Sequence, residues 1–187
     1  AERGAQVTLL EKNDRLGKKL YITGKGRCNV TNDCAPEEFF QNVPRNPRFL
    51  YSAVYGFAPR DAMAFFEALG CALKTERGSR VFPVTDRSAS VIDALRAWLR
   101  KSGVRVVHET AERILTQDGA AAAVRTEAGL HPADRVILAA GGCSYPLTGS
   151  TGDGYRMAAE LGHTIVPVEG SLVPLVEKGH WCKQMQG

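Results

Sequence analysis

The chain of 187 residues contains no apolar run long enough to cross a bilayer, which takes about 20 consecutive apolar residues. Its opening, Ala1-Glu2-Arg3-Gly4, has no apolar core of the kind a secretory leader needs. A cytoplasmic setting without membrane partners is therefore the expectation. Cysteine is scarce and irregular: Cys28, Cys34, Cys71, Cys143 and Cys182 are odd in number, and no two have CxxC spacing. That pattern speaks against a disulfide framework and against a zinc site. The four histidines share no ligand spacing with the cysteines, so no metal is expected. No segment repeats at a fixed period, and no basic tract is present. The net charge of +4 is spread along the chain, which gives no footprint for nucleic acid. A small-molecule substrate is the expected partner.

What is present is an ordinary globular composition, with 44% hydrophobic and 24% charged residues, enough for one domain with a core. Gln6 to Glu11 reads as a short buried strand rich in Val and Leu. Lys12 to Asp33 reads as an ordered loop. Short helices are expected over Pro36 to Phe40 and Pro47 to Tyr55. Pro59 to Leu69 is amphipathic, with Ala62, Phe65, Phe66 and Leu69 on one face. Ala72 to Glu76 and Arg80 to Pro83 suit a hairpin around Arg77-Gly78-Ser79. Ser90 to Lys101 reads as a helix capped by Ser90. Strands follow at Val104 to His108, Ala111 to Thr116 and Ala121 to Thr126, then at Arg135 to Ala140 and Thr164 to Val168. Between the last two, Asp153 is the expected cap of a helix over Gly154 to Leu161. This alternation predicts an α/β fold: a mainly parallel sheet with helices on both faces and an antiparallel meander at residues 111 to 130.

Three groups of residues invite chemistry. Glu11 closes the first strand, where an acid can accept both hydroxyls of a ribose; a solvated acid at a strand end is the simpler alternative. No glycine fingerprint precedes it in this chain. Next comes the basic stretch Arg15-Leu16-Gly17-Lys18-Lys19, followed by Thr23-Gly24-Lys25-Gly26-Arg27-Cys28-Asn29. The latter is no Walker loop, because Gly26 rather than Ser or Thr follows Lys25. Gly24 and Gly26 would let backbone N–H groups approach a ring or phosphate, and Asn29 adds an amide. Lys25 and Arg27 could stabilise negative charge or favour a Cys28 thiolate; packing beneath a loop is the plainer role for Cys28. Third, the apolar run to Ala140 ends in Gly141-Gly142, small enough for a ligand to lie against it, and Thr148 to Gly154 leads into a helix whose N-terminus suits an anion.

Taken in order, Leu9-Leu10-Glu11-Lys12, Gly17-Lys18-Lys19, Thr23 to Asn32, Arg80-Val81-Phe82-Pro83, Ala140-Gly141-Gly142-Cys143-Ser144-Tyr145-Pro146, Gly149 to Tyr155, Gly162-His163 and Ser171 to Leu175 resemble the BaiN/YhiN-like bacterial flavoproteins of the aminoacetone oxidase family. The TGxGRCNxTN run carries most of the specificity. The resemblance implies a Rossmann-like FAD-binding domain of the two-dinucleotide-binding-domain type, over residues 1–175, with residues 176–187 starting an inserted or second domain. It also implies that the sequence lacks both ends of the family pattern, including the first strand with its fingerprint. FAD would be the cofactor and NAD(P)H the electron donor for hydride transfer to a small organic substrate. Glu11 would hold the adenosine ribose, Lys18 and Lys19 would lie near the ribose or pyrophosphate, and the backbone at Ala111 would meet the adenine. Ala140, Gly141 and Gly142 would pass close to the cofactor, and Gly24, Gly26, Arg27, Cys28 and Asn29 would line its flavin side. The alternatives are a non-catalytic portion of such an enzyme and a flavin-binding module acting on RNA.

Overall fold

The computed structural model describes residues 1–170, 178–179 and 181–185. The proposed domain boundary at 175 and the stretch Ser171 to Leu175 lie outside them. In chain order, strand β1 (Thr8–Leu10) leads through a loop to helix α1 (Lys18–Ile22), a 3-10 turn over Thr23–Gly26 and strand β2 (Thr31–Asn32). Helices α2 (Pro36–Gln41), α3 (Tyr51–Gly56) and α4 (Pro59–Ala68) come before the hairpin of β3 (Leu73–Glu76) and β4 (Arg80–Pro83). Helix α5 (Ser88–Lys101) and strand β5 (Arg105–Val107) precede a meander of β6 (Ala111–Gln117), β7 (Ala120–Thr126) and β8 (Gly129–Pro132). Helix α6 (Asp153–Glu160) and a last helical turn, Trp181–Gln184, complete the described elements.

Three small sheets organise these elements. β1 and β5 pair in parallel with Leu10 opposite Val107, and the ladder continues through Arg105 N–H to Val7 O and Glu11 N–H to Val107 O, both 3.0 Å. β2, β4 and β3 form an antiparallel sheet in the order β2-β4-β3, and β6-β7-β8 form the expected meander. The two-residue turn Asp118-Gly119 has positive φ at both positions (52° and 76°), the backbone sense that matches strand twist. The runs 135–140 and 164–168, expected as strands, form no ladder among the described residues. A strand exists only with a partner, and Ile137 and Val166 accordingly stay exposed.

Helix α5 anchors the interior. Val91 and Ile92 are fully buried; Val91 belongs to the core cluster, and Ala94 and Leu95, partly buried, pack against it. The helix starts two residues earlier than the sequence pattern predicts. Ser90 is not its cap: its hydroxyl lies 2.7 Å from that of Thr85, while buried Ser88 donates to Tyr21 O at 3.3 Å. α4 opens on Pro59 with Asp61 Oδ2 accepting the Ala58 N–H at 2.7 Å, a satisfied N-terminus. Phe65 of α4 meets Trp98 of α5 edge-on at 5.1 Å, which ties the two helices together.

The Arg-Cys-Asn bend is part of this core. Cys28 is buried with Cys71 and Val91, against Leu20, Val30, Phe66 and Leu73. Burial pushes the Cys28 thiol above its ordinary value, opposed in part by a hydrogen bond with Thr23. The thiolate that Arg27 and Lys25 would favour on sequence grounds is thus disfavoured, since desolvation penalises the charged form. Arg27 turns away from Cys28 toward other partners. Its guanidinium lies over the Phe82 ring at 4.0 Å, bonds Glu76 at 2.5 Å and bonds Asp86 through Nε at 2.8 Å and Nη2 at 2.5 Å. Lys74 joins the same acids, 2.6 Å from Asp86 and 3.3 Å from Glu76. Asn29's amide, oriented to satisfy its bonds, donates to Val81 O and Thr31 O.

Two outcomes follow from this packing. Gly17 has φ +76°, and a Cβ there would sit 2.9 Å from Ile92 Cγ1, a β-branched helical side chain with little rotamer freedom. Gly70 has φ +82° with open space around it. Gly70→Ala should cost about 1–2 kcal/mol from the left-handed backbone alone, and Gly17→Ala about 1–3 kcal/mol more from overpacking; urea unfolding midpoints of the two variants, expected in that order, check it. The carboxyls of Glu76 and Asp86 are held below their ordinary values, Glu76 chiefly by its bond from Arg27 and Asp86 chiefly by its bond from Lys74. A depressed folded-state value adds stability above the ordinary carboxylate range, about pH 4, and that stability is lost as pH falls through the folded value. Thermal melts taken from pH 6 downward should therefore show a shallower acid decline in Glu76→Gln than in the unaltered protein.

Candidate functional site

Parallel pairing brings the carboxyl ends of β1 and β5 to the same edge, and a cleft of about 270 Å³ opens there. Its walls come from Leu10 at the end of β1 through Asn13, Gly17 to Leu20 at the start of α1, Glu109 after β5, Ala111 at the start of β6, and Ala139 to Gly141. Thr148 to Ser150, together with Asp153 and Met157 of α6, close it. Of the residues nominated from sequence, Glu11, Lys18, Lys19, Ala111, Ala140 and Gly141 share this cleft. Gly142 stands just behind it, its carbonyl accepting Gly152 N–H at 3.2 Å.

The cleft is held by polar contacts across its mouth. Glu11 Oε1 accepts the backbone N–H of Asn13 at 2.8 Å and its side-chain amide at 2.6 Å. Asn13 also donates to Thr148 O at 3.2 Å, and its own carbonyl lies 2.7 Å from His108 Nδ1. Lys12 bonds Thr151 Oγ1 and Asp153 Oδ2, both at 2.6 Å, and this ammonium, followed by the Thr151 hydroxyl, keeps the Asp153 carboxyl below its usual range. Lys19 Nζ donates to Ser144 O, Ser144 Oγ and the buried Ser150 Oγ at 2.9–3.1 Å. The loop 144–153 is thus drawn onto the β1–α1 connection. Gly149, at φ +98°, leaves room that a Cβ would take from Asn13 Nδ2, 2.7 Å away. The sequence pattern makes Asp153 the helix cap. It is instead the first helical residue, with Gly152 as the N-cap, because its carboxylate is spent on Lys12.

Two groups in the cleft keep capacity for a ligand. Lys18 has no hydrogen bond or ion pair among the described residues, and neither does Glu11 Oε2. A cation and an acceptor carboxylate lining one cleft, with Ala111, Ala140 and Gly141 leaving low walls, suit a flat, hydroxyl-bearing, anionic molecule.

The second nominated group lies apart. Gly24, Lys25, Gly26, Arg27, Cys28 and Asn29 are not in the cleft lining. They follow α1, whose first turn is in the cleft, so the two groups sit at opposite ends of a helix of about 7.5 Å rise. A Cβ on Gly24 would lie 2.9 Å from Asn29 N and 3.0 Å from Phe82; the protein's own atoms fill that space. Lys25 stands exposed with a left-handed backbone (φ 56°). Arg27 and Cys28 are committed to the ion-pair cluster and the core. Sequence reading missed Lys12, Asn13 and Glu109. For Lys12 and Asn13 the available signal was their place directly after the strand-closing acid. The described residues include no group of three or more His, Cys, Asp or Glu able to hold a metal, and no helix long and apolar enough to cross a membrane.

Known proteins resemble this chain in sequence and in fold. The chain is 36% identical to a 3-dehydro-bile acid delta(4,6)-reductase of Clostridium scindens over 94% of its own length and 42% of that protein. It is 25% and 24% identical to the ribosomal RNA dihydrouridine synthases of Haemophilus influenzae and Escherichia coli, again over more than nine-tenths of this chain but 44% and 42% of theirs. It thus spans under half the length of these curated relatives. The fold is similar to that of a chain in the apo Mycobacterium smegmatis Sdh1 complex (TM-score 0.59, 21% identity, 86% of this chain and 35% of that one). L-proline dehydrogenase from P. horikoshii aligns at a TM-score of 0.50 and 15% identity, over 90% of this chain and 52% of that one. Residues 1–177 match the HI0933-like protein Rossmann domain, and the chain belongs to that family.

Proposed function

We propose that this chain is the FAD-binding part of an oxidoreductase that reduces a carbon–carbon double bond conjugated to a carbonyl, with NAD(P)H as electron donor. The observation that carries the cofactor assignment is the cleft at the joint carboxyl ends of β1 and β5, lined both by Glu11, with one carboxylate oxygen open, and by Lys18, which has no partner among the described residues. The substrate class draws on two relatives whose names describe one kind of chemistry. A delta(4,6)-reductase acting on a 3-dehydro compound saturates an enone system, and a dihydrouridine synthase saturates a pyrimidine double bond next to a carbonyl.

The residues present fit the adenosine and diphosphate portion of FAD. Glu11 would accept the ribose hydroxyls, with Asn13 fixing its carboxylate through two bonds to Oε1. Lys18 would neutralise phosphate charge, while Lys19 holds the 144–150 loop in place. Ala111, Ala140 and Gly141 would let the ligand lie against the backbone. The flavin, when bound, supplies hydride transfer. The protein's share is orientation, charge balance and exclusion of water by the loop that Lys12 and Lys19 tie down.

A second reading makes the reducible substrate a base in RNA. It draws on the two ribosomal RNA dihydrouridine synthases and on the highly exposed Phe49 beside Arg48, since aromatic rings stack unpaired bases. RNA binding that weakens steeply with salt would favour it, and no binding at low salt removes it.

Titration with FAD, followed by flavin fluorescence, tests the main reading. The protein should bind, and Glu11→Gln should weaken binding by about 1–2 kcal/mol through loss of a charge-assisted hydrogen bond. Equal affinity of the two proteins would remove Glu11 from the ribose site. NADH or NADPH should then bleach the bound flavin anaerobically; retained flavin that neither nucleotide bleaches supports the alternative of a non-catalytic portion.

A further inference from the structure

We infer that Glu109 is the residue by which the cleft selects an adenine base, its carboxylate accepting a hydrogen bond from the exocyclic amine. This rests on the FAD reading above and assigns the specificity of the same site.

Glu109 stands just past the carboxyl end of β5, as Glu11 does past β1, and both line the cleft. Its carboxylate is fixed from behind by the meander. Oε2 accepts the hydroxyl of buried Thr126 at 2.6 Å and lies 2.7 Å from His131 Nε2. Thr126 is in turn seated by the N–H groups of Ala128 and Gly129 at 3.3 and 3.2 Å. The next residue is pinned as well: Thr110 N–H donates to both carboxylate oxygens of Glu127, at 3.0 and 2.8 Å. Both sides of the Glu109–Thr110 peptide are therefore tied to the β7–β8 hairpin. Oε1 of Glu109 has no partner among the described residues.

An acceptor held this firmly, on the cleft wall next to Ala111, asks for a donor from the ligand. A carboxylate with its back oxygen saturated cannot swing away, so it discriminates by chemistry rather than by shape. An amine at the base's 6-position satisfies it, whereas a carbonyl there sets two acceptors against each other. Glu11 meanwhile takes the sugar. The two acids, just past the ends of neighbouring parallel strands, would grip one nucleoside at its two ends.

Calorimetric titration of the chain with AMP, IMP and FAD tests this. The unaltered protein should bind AMP at least tenfold more tightly than IMP. In Glu109→Leu the ratio should fall to within about threefold, and Thr126→Val, which frees the carboxylate, should give an intermediate ratio. The ratio is measured within each variant, so a loss of folded protein lowers both affinities without moving it. FAD and AMP bound with a preference that survives Glu109→Leu, or with no preference in the unaltered protein, would overturn the role of Glu109 and leave the flavin reading standing. Absence of binding by FAD and AMP alike would overturn both.

Discussion

Parallel pairing of Thr8–Leu10 with Arg105–Val107 is the constraint on which the rest of the arrangement depends. Parallel strands cannot be joined by a tight turn, so everything from α1 to α5 forms the crossover between them. Because the two strands run the same way, the segments that follow them emerge at one edge. Glu11, Lys12 and Asn13 leave β1 there, and Glu109 and Ala111 leave β5 beside them. The loop before α6 closes over the same edge, drawn down by Lys12 and Lys19.

The most distinctive stretch of the sequence has a different job. Arg27 is clasped between Glu76, Asp86 and the face of Phe82, and Cys28 fills the core beneath α5. The turn positions Gly24, Lys25, Gly26 and Cys28 all have positive φ, which glycine adopts freely but which persists at Lys25 and Cys28 only where surrounding contacts enforce it. Here Asn29, Val81 and Phe82 supply those contacts. The bend follows directly on α1, whose first turn carries Lys18 and Lys19 at the cleft.

Much of the fold could be read from the chain itself. The hairpin around Arg77-Gly78-Ser79, the Asp118-Gly119 turn and the apolar faces of α4 and α5 are local signals that the structure follows. The first-strand acid, the two lysines and the small residues at 140–141 do come together. What escaped was short or cooperative. α1 is five residues between glycine-rich turns, too brief for a periodic pattern to show. The runs 135–140 and 164–168 have strand composition, but pairing depends on a neighbour and not on composition. Asp153 looked like a cap because its position fits, and only the three-dimensional approach of Lys12 redirects it. Glu109 carried no signal at all, because its meaning comes from Thr126 and His131, which are distant in sequence.

The same long-range closure sets a timetable for the nascent chain. Lys12 and Thr151, which meet across the mouth of the cleft, are 139 residues apart. At a ribosomal pace of about 5–20 residues per second, roughly 7 to 28 seconds separate the making of one wall from the making of the other. The α4–α5 core and the Arg27 clasp can assemble during that interval, whereas the cleft has to wait for α6. Any molecule that fills it therefore arrives after most of the scaffold is set, as a guest of a formed framework and not as the seed around which it condenses.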